Sequence, residues 1–165
     1  LDSEGIYRKN GGTLQMNNIL KAFNNLLTAE TSQELENSLE GDINAITSSL
    51  KRYLYFHLPE PIITMNVYEL FIKNSQIEDS MEKIENLSNI LSQLPKTNLK
   101  TLRFLLNHIK KIESYQHLNK MTFHNLAVVF APTFTRVSSG ERELMDMQPR
   151  NNVTEFLLVN QDEIF

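Results

Sequence analysis

Apolar residues recur every three or four positions along most of the chain, which is the spacing of one face of an α-helix. Thr13 belongs to a residue type that caps helix N-termini. The apolar face that follows it consists of Ile19, Leu20, Phe23, Leu26 and Leu27. A second face follows Asp42, another capping residue, and consists of Ile43, Ile46, Leu50, Tyr53 and Leu54. Both segments are therefore predicted to be amphipathic helices.

Polar residues of the second helix are predicted to lie off its buried face: Ser48, Lys51 and Arg52. This helix must end before Pro59 and Pro61. Proline has no backbone N–H to donate and disfavours helical geometry in the residue before it.

The helical spacing resumes after the prolines, and Thr64 is predicted to cap a third helix. Its apolar residues are Val67, Tyr68, Leu70, Phe71 and Ile72. Asp79, followed by Glu82 as in a capping box, predicts a fourth helix. Its apolar residues are Ile84, Leu87, Ile90, Leu91 and Leu94. The fifth is the longest, and we expect several neighbours to contact its wide apolar face of Leu99, Leu102, Phe104, Leu105, Leu106, Ile109 and Ile112.

Two more helices are predicted towards the C-terminus. Thr122 is expected to cap a sixth helix over residues 123–130, which Ala131 and Pro132 should end. Pro149 is well placed to open a last helix, since proline is favoured in the first helical turn. The residues of this last segment that should return to the core are Val153, Phe156, Leu157 and Ile164.

Two polar segments interrupt the helical pattern. Residues 28–41 are acidic and predict a solvent-facing loop, with room for a short helical turn. Residues 136–148 contain a Ser-Ser-Gly turn and predict a mobile surface loop. No stretch alternates apolar and polar residues long enough to predict a strand, and no repeat of fixed period indicates a solenoid. The fold class predicted is all-α, in a single domain over residues 1–165.

Composition narrows the functional classes. The 165 residues carry a formal net charge of -4 and include no cysteine. A disulfide framework, a thiolate nucleophile and cysteine metal ligands are therefore excluded. The acidic balance argues against chain-wide attraction to nucleic acid or to anionic membranes, although it leaves room for a local basic patch. No apolar run is long enough to span a membrane, and the absence of cysteine fits a reducing, intracellular setting. We expect a cytoplasmic domain that acts as a monomer and does not insert into a membrane.

The usual motifs of a self-contained enzyme do not occur. The sequence has neither the glycine-lysine loop that cradles nucleotide phosphates nor the Gly-x-Ser-x-Gly elbow of serine hydrolases. Its four histidines are scattered without a metal-binding spacing. We therefore predict no metal site and no cofactor of the domain's own.

One short segment does carry candidate chemistry. In residues 5–12, Gly-Ile-Tyr-Arg-Lys-Asn-Gly-Gly, the arginine Arg8 follows two apolar anchors and lies between glycines. Glycines permit turn conformations, and the apolar residues can pin the loop to a core. The guanidinium would then be free to bind phosphate oxygens in a bidentate manner. From these residues alone, an ordinary surface arginine on a glycine turn is the more common explanation, so the hypothesis needs support from the rest of the sequence.

Four segments, in this order, resemble the Rho GTPase-activating protein (RhoGAP) domain. They are Glu-Gly-Ile-Tyr-Arg at 4–8; Ser-Leu-Lys-Arg-Tyr-Leu at 49–54 with Leu-Pro-Glu-Pro at 58–61; Leu-Pro at 94–95 with Asn98, Thr101 and Leu102; and Lys-Met-Thr at 120–122 with the run 125–132. The resemblance implies a helical bundle of seven to nine helices, with the family's first helix clipped. It also implies that the chain is a fragment of a larger multidomain protein. Other regions of that protein could recruit the domain to a membrane.

The resemblance also implies a function and a set of site residues. Such a domain docks on a GTP-loaded Rho-family G protein of the Rho, Rac or cell-division-control type, to which GTP and Mg²⁺ belong. Arg8 would enter the partner's active site as an arginine finger. Lys51 would steady the arginine loop, Asn125 would bind the partner's switch backbone, and Pro132 would pack against that switch.

The sequence departs from the family pattern at two places. The family often has arginine where this chain has Tyr55, so Arg52 is the nearest cation that could partly substitute at the interface. The segment before Leu58 also appears one residue longer than usual. Ala131 stands where glycine is common, which matters only if that position needs a positive φ. Tyr55 and the lengthened segment before Leu58 keep open a module that binds a G protein without accelerating hydrolysis. The composition alone would also fit a helical scaffold with no G-protein partner.

Overall fold

The computed structural model describes residues 1–26, 39, 41–137 and 139–165. Within this part of the chain all regular structure is α-helical, as predicted. The ten helices described are α1 Thr13–Leu26, α2 Ile43–Phe56, α3 Met65–Asn74, α4 Ser80–Ser92, α5 Lys96–Glu113, α6 Gln116–Asn119, α7 Phe123–Phe134, α8 Gly140–Met145, α9 Met147–Val159 and α10 Gln161–Ile164. The count exceeds the predicted seven to nine because α6, α8 and α10 are short helices of 4, 6 and 4 residues.

Three of the predicted N-caps are confirmed. Asp42, Asp79 and Thr122 each accept a hydrogen bond from a backbone amide two or three residues later, at 2.8, 2.8 and 3.3 Å. Such bonds satisfy one of the amides that a helix start leaves unpaired. Thr64 does precede α3, but its hydroxyl donates to a neighbouring side chain and makes no cap. Thr13 is the first residue of α1 rather than the residue before it.

The core is centred on α7 and α9, which pack against each other. Helix α7 also packs against α2 and α5, so it lies in the middle of the bundle. Its Phe130 and Phe134 are completely buried, and their ring centroids are 5.6 Å apart. Helix α7, and not α5 alone, therefore occupies the centre of the bundle. Helix α5 buries one face and leaves the opposite face in solvent.

Several residues predicted for the core are exposed. Phe23, Tyr53, Leu70 and Phe104 keep 46%, 39%, 45% and 75% of their surface accessible, because each lies at the edge of or outside the face its helix buries. Ser48, predicted to lie off the buried face of α2, is buried instead. Leu27 and the predicted loop at 28–41 lie outside the described residues, apart from positions 39 and 41.

Pro132 does not end its helix, as the sequence analysis expected. Helix α7 continues through Pro132 to Phe134. A proline in a helix leaves the carbonyl four residues earlier without an amide donor but need not stop the helix when packing holds it. The end comes at Thr135, whose amide and hydroxyl both donate to the carbonyl of Ala131, at 3.1 and 2.6 Å.

The predicted loop at 136–148 is also wrong in part, because it contains α8 and the start of α9. Ser139 caps α8, its hydroxyl accepting from the amide of Arg142 at 3.2 Å. Arg142 makes ion pairs with Glu69 of α3 and, at 3.0 Å, with Asp146. Pro149 lies in the first turn of α9 rather than opening it. Ser138 is outside the described residues.

Candidate functional site

The segment that contains Arg8 folds into a tight turn with two left-handed residues. Gly5 has φ 72° and Tyr7 has φ 68°. The amides of Arg8 and Lys9 both donate to the carbonyl of Gly5, at 2.9 Å each. A left-handed conformation is cheap for glycine but strained for tyrosine, so surrounding contacts must hold Tyr7 in place.

Tyr7 is held by contacts of its hydroxyl, its ring and its backbone carbonyl. The side chain is buried, and its hydroxyl is 2.8 Å from Nε2 of His108 on α5. The ring centroid is 4.8 Å from that of Phe130 on α7. The ammonium of Lys51 on α2 donates to the Tyr7 carbonyl. Burial raises the pKa of Tyr7 to about 12, so the phenol is protonated near neutral pH and can donate to the imidazole.

A buried asparagine that the sequence pattern does not reveal holds the start of the loop. Asn119 is fully buried at the end of α6, and its carbonyl accepts the Gly5 amide at 2.8 Å. Its Nδ2 donates to the carbonyls of Leu1 and Ile112 at 2.9 and 2.8 Å. Its Oδ1 accepts from the amide of Met121 at 2.8 Å. The backbone carbonyl and the side chain of this one residue thus join the loop to the end of α5 and the approach to α7.

The end of the loop is fixed against α2 by a close backbone approach. The amide of Gly11 donates to the hydroxyl of Ser48 at 3.2 Å, which explains why this serine is buried. A Cβ at Gly11 would lie 2.2 Å from the Cα and the N of Ala45. A Cβ at Gly12 would meet nothing within 4 Å. Only glycine at position 11 therefore lets the loop lie directly on the helix.

Arg8 is one of the exposed residues of this fixed loop, together with Lys9 and Asn10. Its neighbours Ile6 and Tyr7 are buried, whereas Arg8 itself is exposed. Lys9 pairs with Glu4 at 3.7 Å, but the Arg8 guanidinium makes no hydrogen bond or ion pair to any described residue. The backbone of the arginine is therefore held while its side chain remains available to a partner.

Lys51 contacts the residue that precedes this arginine, through the Tyr7 carbonyl. Its ammonium is half-buried, and burial lowers the pKa of Lys51 from its usual value because the charged form loses water. An ammonium group has three donors, and among the described residues only the Tyr7 carbonyl accepts one of them. Lys51 can thus steady the loop and still donate to a second molecule.

Helix α7 presents a partly exposed stripe near the loop. Asn125, Val128 and Pro132 are three and four positions apart and so lie on one face of the helix. Asn125 is half-buried, and its Nδ2 donates to the carbonyl of Lys120 at 3.0 Å, next to the residue that binds Gly5. Val128 is 45% exposed although it is apolar. The sequence analysis missed Val128, which the spacing from Asn125 and Pro132 could have found.

Comparison with known proteins identifies the family. A family model described as the RhoGAP domain matches residues 1–139, well over half of the chain. The chain belongs to the RhoGAP domain family. It is 36% identical to Rho-type GTPase-activating protein 1 of Saccharomyces cerevisiae, in an alignment that covers 98% of this chain and 18% of the relative. It is also 36% identical to N-chimaerin of Rattus norvegicus, over 100% of this chain and 49% of that protein.

Solved structures of similar domains show the same fold. The BH domain from GRAF, the GTPase regulator associated with focal adhesion kinase, superposes with a TM-score of 0.84 at 30% identity, covering 99% of this chain and 85% of that one. Human Rho GTPase activating protein 15 gives a TM-score of 0.85 at 27% identity, covering 99% and 76%. The chain thus spans less than a fifth of the yeast relative and about half of the chimaerin.

The segment around Tyr55 is expected from the sequence to depart from the RhoGAP pattern, and the structure shows how this segment is held. The guanidinium of Arg136 donates to the carbonyls of Tyr55, Leu58 and Pro59, the last two at 3.2 and 3.1 Å. Arg52, the predicted substitute cation, is exposed, and its guanidinium lies 6.0 Å above the ring of Phe56. Among the described contacts of Arg52 none reaches the arginine loop, so it lies at the flank of the site.

No metal centre is found in this RhoGAP domain over the residues that the structure describes, since no group of three His, Asp or Glu side chains there could hold an ion. Besides Lys51, His108 is a titratable group that contacts the arginine loop. Burial lowers the pKa of His108 from its usual value of about 6.5, and the charges of Lys111 and the N-terminal amine lower it further. The imidazole is therefore neutral near pH 7 and can accept the Tyr7 hydrogen bond.

We expect acid to loosen the link between Tyr7 and His108. The folded state binds the His108 proton less tightly than the unfolded chain does, so the contribution of His108 to stability is complete above pH about 6.5 and is lost as pH falls through the lowered pKa. Thermal unfolding of the wild type and of His108→Gln, measured from neutral to mildly acidic pH, checks this. Glutamine retains an acceptor but cannot titrate, so the variant should lose less stability with acid. Equal losses in both proteins would contradict the assignment.

Proposed function

We propose that this domain accelerates GTP hydrolysis by a Rho-family G protein and that Arg8 acts as an arginine finger. One observation carries the proposal: the Arg8 guanidinium is exposed and unpaired among the described residues, on a loop whose backbone is fixed at both ends. Membership of the RhoGAP family and the names of the relatives, which are Rho-type GTPase-activating proteins, support the same reaction.

The proposed chemistry is electrostatic stabilisation across an interface. During phosphoryl transfer, negative charge spreads over the oxygens of the transferred group and the leaving group in a loose transition state. A guanidinium offers a planar fork of donors that matches these oxygens and remains charged at any relevant pH. Arg8 would enter a site from which water is excluded, where such a charge stabilises the transition state most strongly. GTP and Mg²⁺ would belong to the partner.

Fixing the arginine loop in advance is what makes this mechanism effective. Asn119, Tyr7 and Gly11 hold the backbone on either side of Arg8 before any partner arrives. The G protein then has to order only the arginine side chain, rather than a whole loop, on binding.

The proposed partner surface extends from the loop onto two helices that pack against each other, α2 and α7. Lys51 would donate to the partner from α2, and Asn125, Val128 and Pro132 would contact it from α7. Arg52 would contribute only a long-range charge from the flank. The domain is proposed to act as a monomer in the cytoplasm, with other regions of its parent protein able to recruit it to a membrane.

A single-turnover hydrolysis assay tests the proposal. GTP-loaded Rho, Rac and cell-division-control proteins are each mixed with the 165-residue chain, and phosphate release is followed together with binding of the GTP-loaded form. We expect acceleration of at least one of the three. Binding without acceleration would instead support a binding module, the reading that Tyr55 leaves open. The proposed function would be refuted if the chain neither bound nor accelerated any of the three G proteins.

A further inference from the structure

Helix α5 carries a concentration of positive charge that the proposed function does not use. Its 18 residues include five Lys or Arg and one Glu, in a chain whose formal net charge is -4. All five cationic side chains are exposed: Lys96, Lys100, Arg103, Lys110 and Lys111. The longest helix of the domain is thus a basic element in an acidic protein.

These five cations lie on one face of the helix. At 3.6 residues per turn they project within an arc of about 100°, along roughly 20 Å of helix axis. Phe104 projects at the edge of this arc and is 75% exposed. Glu113, the acidic residue of α5, projects on a different side. We call the surface formed by the five cations and Phe104 the basic face of α5.

Neighbouring groups neutralise only part of this charge. Lys110 pairs with Asp162 of α10, and the Arg103 guanidinium lies 5.1 Å from the ring centroid of Phe165 and 3.4 Å from its carbonyl oxygen. Lys96, Lys100 and Lys111 make no hydrogen bond or ion pair through their ammonium groups to any residue that the structure describes. The basic face therefore retains several positive charges that no described residue compensates.

We propose that the basic face of α5 docks on an anionic lipid bilayer. Four of its five cations are lysines, whose flexible stems and point charges suit a fluid layer of anionic headgroups better than a rigid partner. Each lysine or arginine near such a surface strengthens binding. An exposed phenylalanine beside the lysines can enter the headgroup boundary, as in amphipathic helices that lie on membranes.

The same features favour a bilayer over nucleic acid. The net charge of the chain is negative, so a long polyanion would be repelled by most of the molecular surface and attracted only by one helix face. A bilayer, by contrast, would contact only the basic face and not the rest of the molecular surface. The docking proposed is peripheral, since no helix among the described residues is long and apolar enough to cross a membrane.

Docking through the five cations of α5 would leave the arginine loop at the border of the contact. His108, the residue of α5 that binds Tyr7, projects about 110° around the helix from the middle of the five cations and about 40° from Phe104. The loop therefore lies beside the Phe104 edge of the basic face and not within it. This inference is independent of the proposed function, and vesicle binding measures it without a G protein.

Co-sedimentation of the 165-residue chain with vesicles tests the proposal. Vesicles of phosphatidylcholine alone are compared with vesicles that also contain phosphatidylserine, at physiological salt. We expect binding only to the anionic vesicles, weakening as salt is raised. Lys100→Gln combined with Lys111→Gln should reduce the partition coefficient about 25-fold, since each cation contributes about fivefold. The matched control, Lys21→Gln with Lys73→Gln, removes two exposed lysines elsewhere and should change it little.

Three outcomes would overturn the proposal. The first is failure of the wild type to sediment with anionic vesicles, and the second is an equal loss in both double variants, which would indicate unspecific attraction. The third is displacement from the vesicles by inorganic phosphate at constant ionic strength, which would indicate a discrete anion site. Binding of duplex DNA through Lys100 and Lys111, without binding to vesicles, would assign the face to nucleic acid instead.

Discussion

Arg8→Ala is expected to remove most of the acceleration of GTP hydrolysis while leaving the fold and much of the partner binding intact. The Arg8 side chain is exposed and makes no hydrogen bond or ion pair to the described residues. Its removal therefore breaks no such contact among them. Single-turnover hydrolysis with saturating domain should be slower by on the order of 10³- to 10⁵-fold, which is roughly 4–7 kcal/mol of barrier. The upper figure is that of the related Ras system, in which an arginine also acts in trans.

Two further substitutions separate the role of the guanidinium from that of positive charge. Arg8→Lys keeps a cation but loses the planar fork, so it should recover only a small part of the lost rate. Lys9→Ala removes the adjacent exposed cation, which already pairs with Glu4, and should accelerate hydrolysis almost as well as the wild type. An Arg8→Ala domain with wild-type activity would remove Arg8 from the mechanism, whatever its partner.

Local rules account for most of the helices that were predicted. The caps at Asp42, Asp79 and Thr122 lie where a single side chain meets the next few amides, so the sequence alone specifies them. The same holds for α5, whose apolar spacing of three and four continues through its full length. Periodicity does not say how wide the buried face is, and Phe104 was wrongly assigned to the core for that reason.

Contacts between distant parts of the chain could not be predicted in this way. Asn119 looks like an ordinary polar residue near a helix end, yet it is fully buried because the N-terminal loop and α5 both need its hydrogen bonds. The sequence pattern places Arg136 in a mobile loop, although its guanidinium donates to carbonyls in the last turn of α2 and just after it. Pro132 was expected to stop α7, but packing in the centre of the bundle outweighs the lost hydrogen bond.

In the candidate site, too, the local features could be predicted from the sequence and the long-range contacts could not. Arg8 and the neighbouring glycines could be singled out from the sequence because glycine and arginine each have a distinctive physical role. That Tyr7 would be the strained residue could not be foreseen. Its left-handed conformation is maintained by His108, Phe130 and Lys51, which belong to three different helices. The roles proposed for Lys51, Asn125 and Pro132 towards a partner remain predictions.

Gly11→Ala is expected to reduce the acceleration of GTP hydrolysis by about 100-fold, although position 11 lies three residues from the arginine. The added Cβ would lie 2.2 Å from backbone atoms of Ala45, and a helix backbone cannot yield as a flexible side chain can. The loop would have to move away from α2 and would lose its hydrogen bond to Ser48. A misplacement of about 1 Å at a catalytic group typically costs about 100-fold in rate.

Gly12→Ala is the matched control for this prediction. It adds the same methyl group one residue later, where nothing lies within 4 Å, so it should retain nearly wild-type acceleration. Thermal unfolding of both variants distinguishes a displaced loop from general instability, since overpacking at Gly11 should cost about 1–3 kcal/mol and leave the domain folded. If both alanine variants accelerated hydrolysis equally well, the contact between Gly11 and α2 could not be what positions Arg8. A folded Gly11→Ala domain that still binds the GTP-loaded partner but accelerates poorly would instead show that the loop's position, and not only its arginine, is needed for the rate.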